Sequence, residues 1–333
     1  MFGTNEDTGI IPKSTQYIFD SLEERSGMVE YGVVVSFLEI YCDRIRDLGR
    51  AYHDQKERPH AGRTSETSQW YQHNNVRSSF SYTQPKSERS EYIEEDLSVH
   101  EDSSGNVYVK DLSIIPVSSS AQVLQILDAG FALRATHETK LNTVSSRSHT
   151  VFTIHVIQKG KYWTRNQIWH RESSNFLSNY FFTDLFTNEV TTGMLNLVDL
   201  AGSERLSKSD SSGQRLQEAQ SINSSLAALG KVVMTLYNSN DKSNVHIPYR
   251  DCKLTRILQN SLGGNSYTSV LATIHPREKD CEESLSTLQF AHRCKSVTTR
   301  PVVSILSTKV DKAEKIKELK NRKDKLQEEL ASK

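Results

Sequence analysis

The residue in this sequence best placed to do chemistry is Asp199. It closes a short apolar run, Leu195-Asn196-Leu197-Val198-Asp199, and is followed by Leu200-Ala201-Gly202-Ser203-Glu204. In open α/β sheets ligands bind at the carboxyl ends of strands. A carboxylate there can reach a Mg²⁺ ion through water, as a Walker-B aspartate does. Gly202 has no Cβ and so lets a backbone N–H come close to a terminal phosphate. The same short pattern also fits an aspartate that only caps a turn, and these residues alone leave both readings standing.

A second candidate is Asn142-Thr143-Val144-Ser145-Ser146-Arg147-Ser148-His149. Hydroxyls suit Mg²⁺ and phosphate oxygens, and arginine suits phosphate or carboxylate. A serine-rich connection is also what an ordinary loop looks like. A third candidate is basic. Arg250, Lys253 and Arg256 recur at i, i+3, i+6, which on one helix sets them along one edge. Such an edge meets an acidic partner or simply faces water.

The elements that must hold these residues are legible in outline. Residues 13–25 have helical spacing in Tyr17, Ile18 and Leu22. The run from Gly32 to Tyr41 is β-branched, apolar and short, as a buried strand should be. Val107-Tyr108-Val109 reads as a strand after a turn, Ser118–Arg134 as a helix, and Thr150–Ile157 as a strand. Helices are expected over about 221–237, 253–261 and 282–295, with a buried strand at Thr268–Ile274. Alternating strands and helices predict a parallel or mixed sheet covered on both faces.

Three stretches depart from that rhythm. Residues 52–92 carry Ala61 and Val76 as their only aliphatic side chains, too little to offset the entropy of ordering, and read as a disordered loop. Residues 158–193 hold eight aromatic side chains, Tyr162 and Trp163 through Phe186, with little period. The tail, 309–333, is charged and helical. Ile316, Leu319, Leu326 and Leu330 fit a/d spacing, but Lys323 interrupts it, so a coiled coil and a solvated single helix both fit.

Composition narrows the class. The 333 residues carry 41 basic and 41 acidic side chains, so no net field draws the chain to nucleic acid or membrane. The four cysteines include no CxxC pair, which points away from a zinc or disulfide framework and toward a reducing compartment. The start, Met1-Phe2-Gly3-Thr4, is no signal peptide, and no stretch of about 18 apolar residues exists to span a membrane.

Taken in order, the motifs resemble one family. Asn142–His149 is similar to kinesin switch I, and Asp199–Glu204 to kinesin switch II. Gly213–Ala219 and Ile222–Gly230 look like the relay helix, and His246–Arg256 with Asn260–Asn265 like the tubulin-facing segment. Glu283–Ala291 resembles the last motor helix, while Gly9–Pro12 and Phe37–Tyr41 match the early part. The resemblance spans about residues 1–300 apart from the two insertions. It implies a three-layer α/β/α kinesin-type P-loop NTPase fold, incomplete at its N-terminus, over 1–297. A neck-like segment (298–308) and the helical tail (309–333) would follow.

The resemblance also assigns roles. Ser146 would ligate Mg²⁺, Ser145 would help position the γ-phosphate and attacking water, and Asn142 would line the nucleotide. Asp199 would hold the metal through water, and Gly202 would donate its N–H to the γ-phosphate. Arg147 and Glu204 would form the salt bridge that closes the switches, a gating role common to phosphate-sensing loops. Asn223 would couple switch II to the relay helix. Arg250, Lys253 and Arg256, with Arg205 and Lys208, would face tubulin. ATP and Mg²⁺ are the implied cofactors, microtubules the partner, and the cytoplasmic cytoskeleton the location, with homodimerisation through sequence beyond the tail.

The sequence departs from the family in one large respect. It contains no Gly-x-x-x-x-Gly-Lys-Ser/Thr phosphate loop; its only Gly-Lys pairs, Gly160-Lys161 and Gly230-Lys231, lack the remaining residues. Met1-Phe2-Gly3-Thr4 resembles the segment just after that loop in kinesins, so the chain is expected to start just past it. Weak or absent ATP turnover is expected of it as it stands. The alternative is a non-catalytic microtubule binder. A small GTPase-like protein is disfavoured by the lack of a guanine motif. Smaller departures are Leu133, His137, Cys42 and Cys252, which replace usual Asn, Ala, Asn and Ser.

Overall fold

The structure, a computed structural model, describes residues 1–3, 8–56, 96–103, 105–141, 147–160, 190–202, 214–238, 245–306 and 320. Its centre is β1 (Val29–Tyr41), buried without a break from Gly32 onward. Such a strand is covered on both faces, which explains its nearly continuous apolar run. Along one edge β1 pairs with β6 (His149–Gly160) over twelve residues, from Val29↔Gly160 to Ile40↔His149. Along the other edge it pairs with β2 (Arg44–Asp47) and β5 (Ile115–Val117). β6 then pairs with β7 (Val190–Asp199), and β7 with the short β8 (Ser304–Leu306). A separate ribbon joins β3 (Val99–Glu101) to β4 (Val107–Val109).

Every pairing among the described strands is antiparallel, which corrects the expectation of a parallel or mixed sheet. Element alternation cannot tell a crossover from a chain that turns back. Here β6 and β7 are the two arms of one hairpin, so the ends of the 158–193 stretch, 158–160 and 190–193, lie within strands.

Helices cover both faces. On one side α1 (Ile10–Glu24), α2 (Arg50–Lys56) and α3 (Ser120–Leu141) pack on Val33, Val35, Phe37, Phe152 and Ile154. On the other, α4 (Gln214–Asn238), α5 (Lys253–Ile257) and α6 (Cys281–Lys295) pack on Leu38, Ile40 and Val151. The three-layer α/β/α arrangement is thus observed. In α1 the buried residues Ile11, Thr15, Phe19 and Leu22 form one stripe, and Pro12 sits in the first turn, where its missing N–H costs nothing. In α6 Glu282 and Glu283 open the helix, and His292, Arg293 and Lys295 close it, each sign complementing the helix dipole. Gly130 brings α3 flat onto the sheet: a Cβ there would lie 2.6 Å from the Phe37 ring.

Several element limits differ from expectation. α3 runs on past Arg134 to Leu141, α4 begins at Gln214, and α5 ends at Ile257. Of the 52–92 stretch, 52–56 complete α2, with Tyr52 buried in the core, and the rest lies outside the described residues. So do 161–189 and all of the tail but Lys320.

Thr268–Ile274 is no strand. It runs as irregular chain with Leu271 72% and Ile274 56% exposed. Its composition suits a buried strand, but burial needs a neighbour. Beyond Thr192 the outer edge of β7 pairs with no described strand, and no described strand covers this segment. No described helix is long and apolar enough to cross a membrane.

Candidate functional site

The antiparallel register brings the two candidate motifs together. Asp199, the last residue of β7, pairs with Thr150, the second residue of β6. Residues 147–149 therefore lie beside residues 199–202, although some fifty positions separate them in sequence. Thr150 in turn pairs with Glu39 of β1, and Glu39 with Arg46 of β2. Directly paired residues share a face. Arg46, Glu39, Thr150 and Asp199 thus form one polar row across four strands, at the end of a face that is otherwise apolar.

Asp199, Arg147 and Gly202 are each half-buried. Asn142, Ser145, Ser146, Glu204, Arg205 and Lys208 lie outside the described residues. Asn223 falls within α4. Among the described residues no group of three or more His, Cys, Asp or Glu is arranged to hold a metal. A lone carboxylate at a strand end does not make a metal cage by itself. It suits a Mg²⁺ ion that keeps most of its waters and bridges to phosphates.

Two buried networks surround this sheet end. In the first, Glu39 Oε1 accepts from Ser148 Oγ at 2.6 Å and from Arg134 Nε at 3.2 Å. Arg134 Nη2 donates to Ser148 Oγ at 2.9 Å, closing a triangle. Arg46 Nη1 lies 3.6 Å from Glu39 Oε2, an ion pair too long for a hydrogen bond. The triangle ties the residue after Arg147 to the central strand and to α3. The sequence carried a signal for it. Glu39 continues the same-face series Val33, Val35, Phe37, and Arg134 continues the buried stripe Val123, Ile126, Leu127 of α3. Opposite charges on two core-facing positions need each other.

In the second network the backbone N–H of Ala201 donates to His149 Nδ1 at 3.0 Å, and His149 Nε2 lies 2.8 Å from Ser225 Oγ of α4. All three residues are buried. Burial pushes the His149 pKa down to about 4, so the ring is neutral at pH 7. No sequence pattern pairs His149 with Ser225, which stand 76 positions apart on different elements.

The basic residues are not on one edge. Arg250 belongs to a 3₁₀ turn, Tyr249–Asp251, whereas Lys253 and Arg256 belong to α5. Between them Cys252 is extended, its Sγ accepting from the Thr255 N–H to cap α5. The i, i+3, i+6 spacing therefore crosses a helix start, which breaks the expected line. Arg250 is exposed and pairs with Glu101 at 3.0 Å. Lys253 Nζ pairs with Asp96 at 2.5 Å and also donates to the Leu97 carbonyl. Although desolvation pushes the other way, the hydrogen bond from Lys253 leads the contacts that leave the Asp96 pKa below its ordinary value. Arg256 is half-buried, and its Nε has no hydrogen-bond partner among the described residues.

The family model of the kinesin motor domain matches residues 1–297. The kinesin heavy chain of Botryotinia fuckeliana is 36% identical over 308 residues, 91% of this chain and 27% of that one. Kinesin-like protein 3 of Schizosaccharomyces pombe is 36% identical over 299 residues, 90% of this chain and 42% of that one. The chain thus spans well under half the length of these relatives. The structure of a fast kinesin superposes with a TM-score of 0.65 at 34% identity, over 93% of this chain and 68% of that one. A KIF14 dimer, solved with AMP-PNP in complex with a microtubule, gives 0.64 at 30% identity, over 91% and 69%.

Proposed function

This chain belongs to the kinesin motor-domain family, and from that premise we propose that it serves a microtubule motor driven by ATP hydrolysis. The observation that carries the reading is the register of β6 and β7. It sets the Asp199–Gly202 segment against Arg147–His149, so that the two motifs resembling switch I and switch II abut at one sheet end.

MgATP supplies the transferable phosphoryl group when bound. Asp199 would hold the metal through water, together with Ser146, and Ser145, Asn142 and the Gly202 N–H would line the phosphate side. Arg147 and Glu204 would pair as the two segments close. The protein's own contribution is positional. The Glu39–Arg134–Ser148 triangle fixes the start of β6, and the β6–β7 ladder carries that placement to Asp199.

For the track, Arg250, with its side chain 75% exposed, is more available than Lys253, 24% exposed and held by Asp96. Arg205, Lys208 and Arg256 complete the proposed surface. Within the intact protein 1–297 would be the motor, 298–308 a neck-like segment and 309–333 a helical tail leading to a dimer, all on cytoplasmic microtubules.

The chain by itself should turn over ATP weakly or not at all, because its sequence contains no Gly-Lys-Ser/Thr phosphate loop. That same observation favours a second reading, a microtubule binder without catalysis. Residues 1–333 would be assayed for microtubule-stimulated phosphate release and for co-sedimentation with microtubules. Release at the rate of an intact motor would refute the weak-turnover reading. Binding without release, insensitive to nucleotide, would support the second reading, and no binding would defeat both.

A further inference from the structure

The contacts of His149 bridge the segment that follows β7 and helix α4. A backbone N–H can only donate, so the nitrogen facing Ala201, Nδ1, must be the bare one. The ring hydrogen then sits on Nε2 and donates to Ser225 Oγ. A neutral imidazole has one donor and one acceptor, and here each is used once, inside the core. One side of the ring holds the backbone that follows Asp199. The other side holds the second half of α4, whose Leu229, Val232 and Val233 pack on the sheet.

We propose that His149 is a positioning residue, its neutral ring with hydrogen on Nε2 relaying the placement of α4 at Ser225 to the Ala201 amide of the segment that follows Asp199. The logic is that of a two-ended tautomer. While Ser225 Oγ accepts from Nε2, Nδ1 stays bare and holds Ala201. If Ser225 moves away or loses its oxygen, Nε2–H is left buried without an acceptor. A buried donor without a partner is costly. To satisfy that donor the ring must swing toward water or another acceptor, which takes Nδ1 away from the Ala201 N–H and releases the segment after β7. Any use of the relay in switching rests on the motor reading, but the relay itself needs neither nucleotide nor microtubule.

The test is therefore made on residues 1–333 alone. Imidazole ¹⁵N shifts of the wild-type protein, with His149 identified by its loss in His149→Asn, should show a neutral ring with hydrogen on Nε2 at pH 7. A ring with hydrogen on Nδ1, or a doubly protonated one, overturns the proposal. Amide hydrogen exchange is then followed in Ser225→Ala. Exchange at Ala201 should quicken at least tenfold while amides in the middle of β6 and β7 hold. Ser225→Thr, which keeps the hydroxyl, should return it toward the wild-type rate. Unchanged exchange at Ala201, or a uniform rise throughout β6 and β7, would show that Ser225 only packs and would overturn the relay.

Discussion

Arg134 Nε lies 3.2 Å from Glu39 Oε1, with both side chains enclosed between α3 and the sheet. The pair is not a surface ornament. It carries charge into a face whose neighbours are Phe37 and Phe152, and Ser148 completes its hydrogen bonds.

Removing one partner leaves a buried charge uncompensated. Arg134→Met should therefore destabilise the fold by about 3 kcal/mol, the lower end for broken buried pairs because Arg46 still faces the carboxylate. The double variant Glu39→Gln with Arg134→Met should lose less than the sum of the singles. Urea unfolding of the four proteins reads the coupling directly, and additive losses would contradict it.

Stability should fall as pH drops below neutral, in part through His149. Its pKa is about 4 in the fold, held down by burial, against about 6.5 when unfolded. Between those values the unfolded chain binds more protons, so stability rises with pH. It should change by up to about 1.4 kcal/mol per unit and level off above about 6.5. His155 is also held to about 4 by burial and adds a similar slope. His149→Asn should flatten the profile only between pH 4 and 6.5. A stability gap to wild type that stays constant across that window would disprove this.

Gly130→Ala should be costly although alanine is the better helix former. The added Cβ would meet two Phe37 ring atoms at 2.6 Å, and Phe37 is wholly buried between Phe131 and Phe152. Overpacking of this kind costs about 1–3 kcal/mol, more than the gain in helix propensity of about 1 kcal/mol. A thermal melt should show a lowered midpoint, and an unchanged or raised one would mean that α3 shifts freely on the sheet.

Cys42→Asn should stabilise. Cys42 and Asp43 form the two-residue turn between β1 and β2, with φ of 51° and 58°. Left-handed backbone suits asparagine far better than cysteine, and such hairpin turns favour Asn first. A gain of roughly 0.5–1 kcal/mol is expected, checked by the urea midpoint at unchanged slope.

Much was legible in the residues themselves. The β-branched run at Gly32–Tyr41, the helical stripe of 118–134 and the carboxylate closing Leu195–Asp199 all became the elements expected of them, because local pattern and covalent spacing suffice. The ordered motifs sufficed for the family as well. Pattern failed where an outcome depended on a neighbour. Thr268–Ile274 has the composition of a buried strand and lies open, since no described strand covers it. Arg250 and Lys253 have helical spacing, but Cys252, extended between them, breaks the helix.

What the sequence determined by itself is the family, and the two motifs, around Arg147 and around Asp199–Gly202, that carry the resemblance. What only the tertiary structure decided is who stands beside them. The register of three antiparallel strands put Glu39, Thr150 and Asp199 in one row. The packing of α4 put Ser225 within reach of His149. Register depends on pairing between residues as far apart as Val29 and Gly160, 131 positions along the chain, and a slip of one residue would turn every side chain to the other face. No local pattern in the chain encodes it.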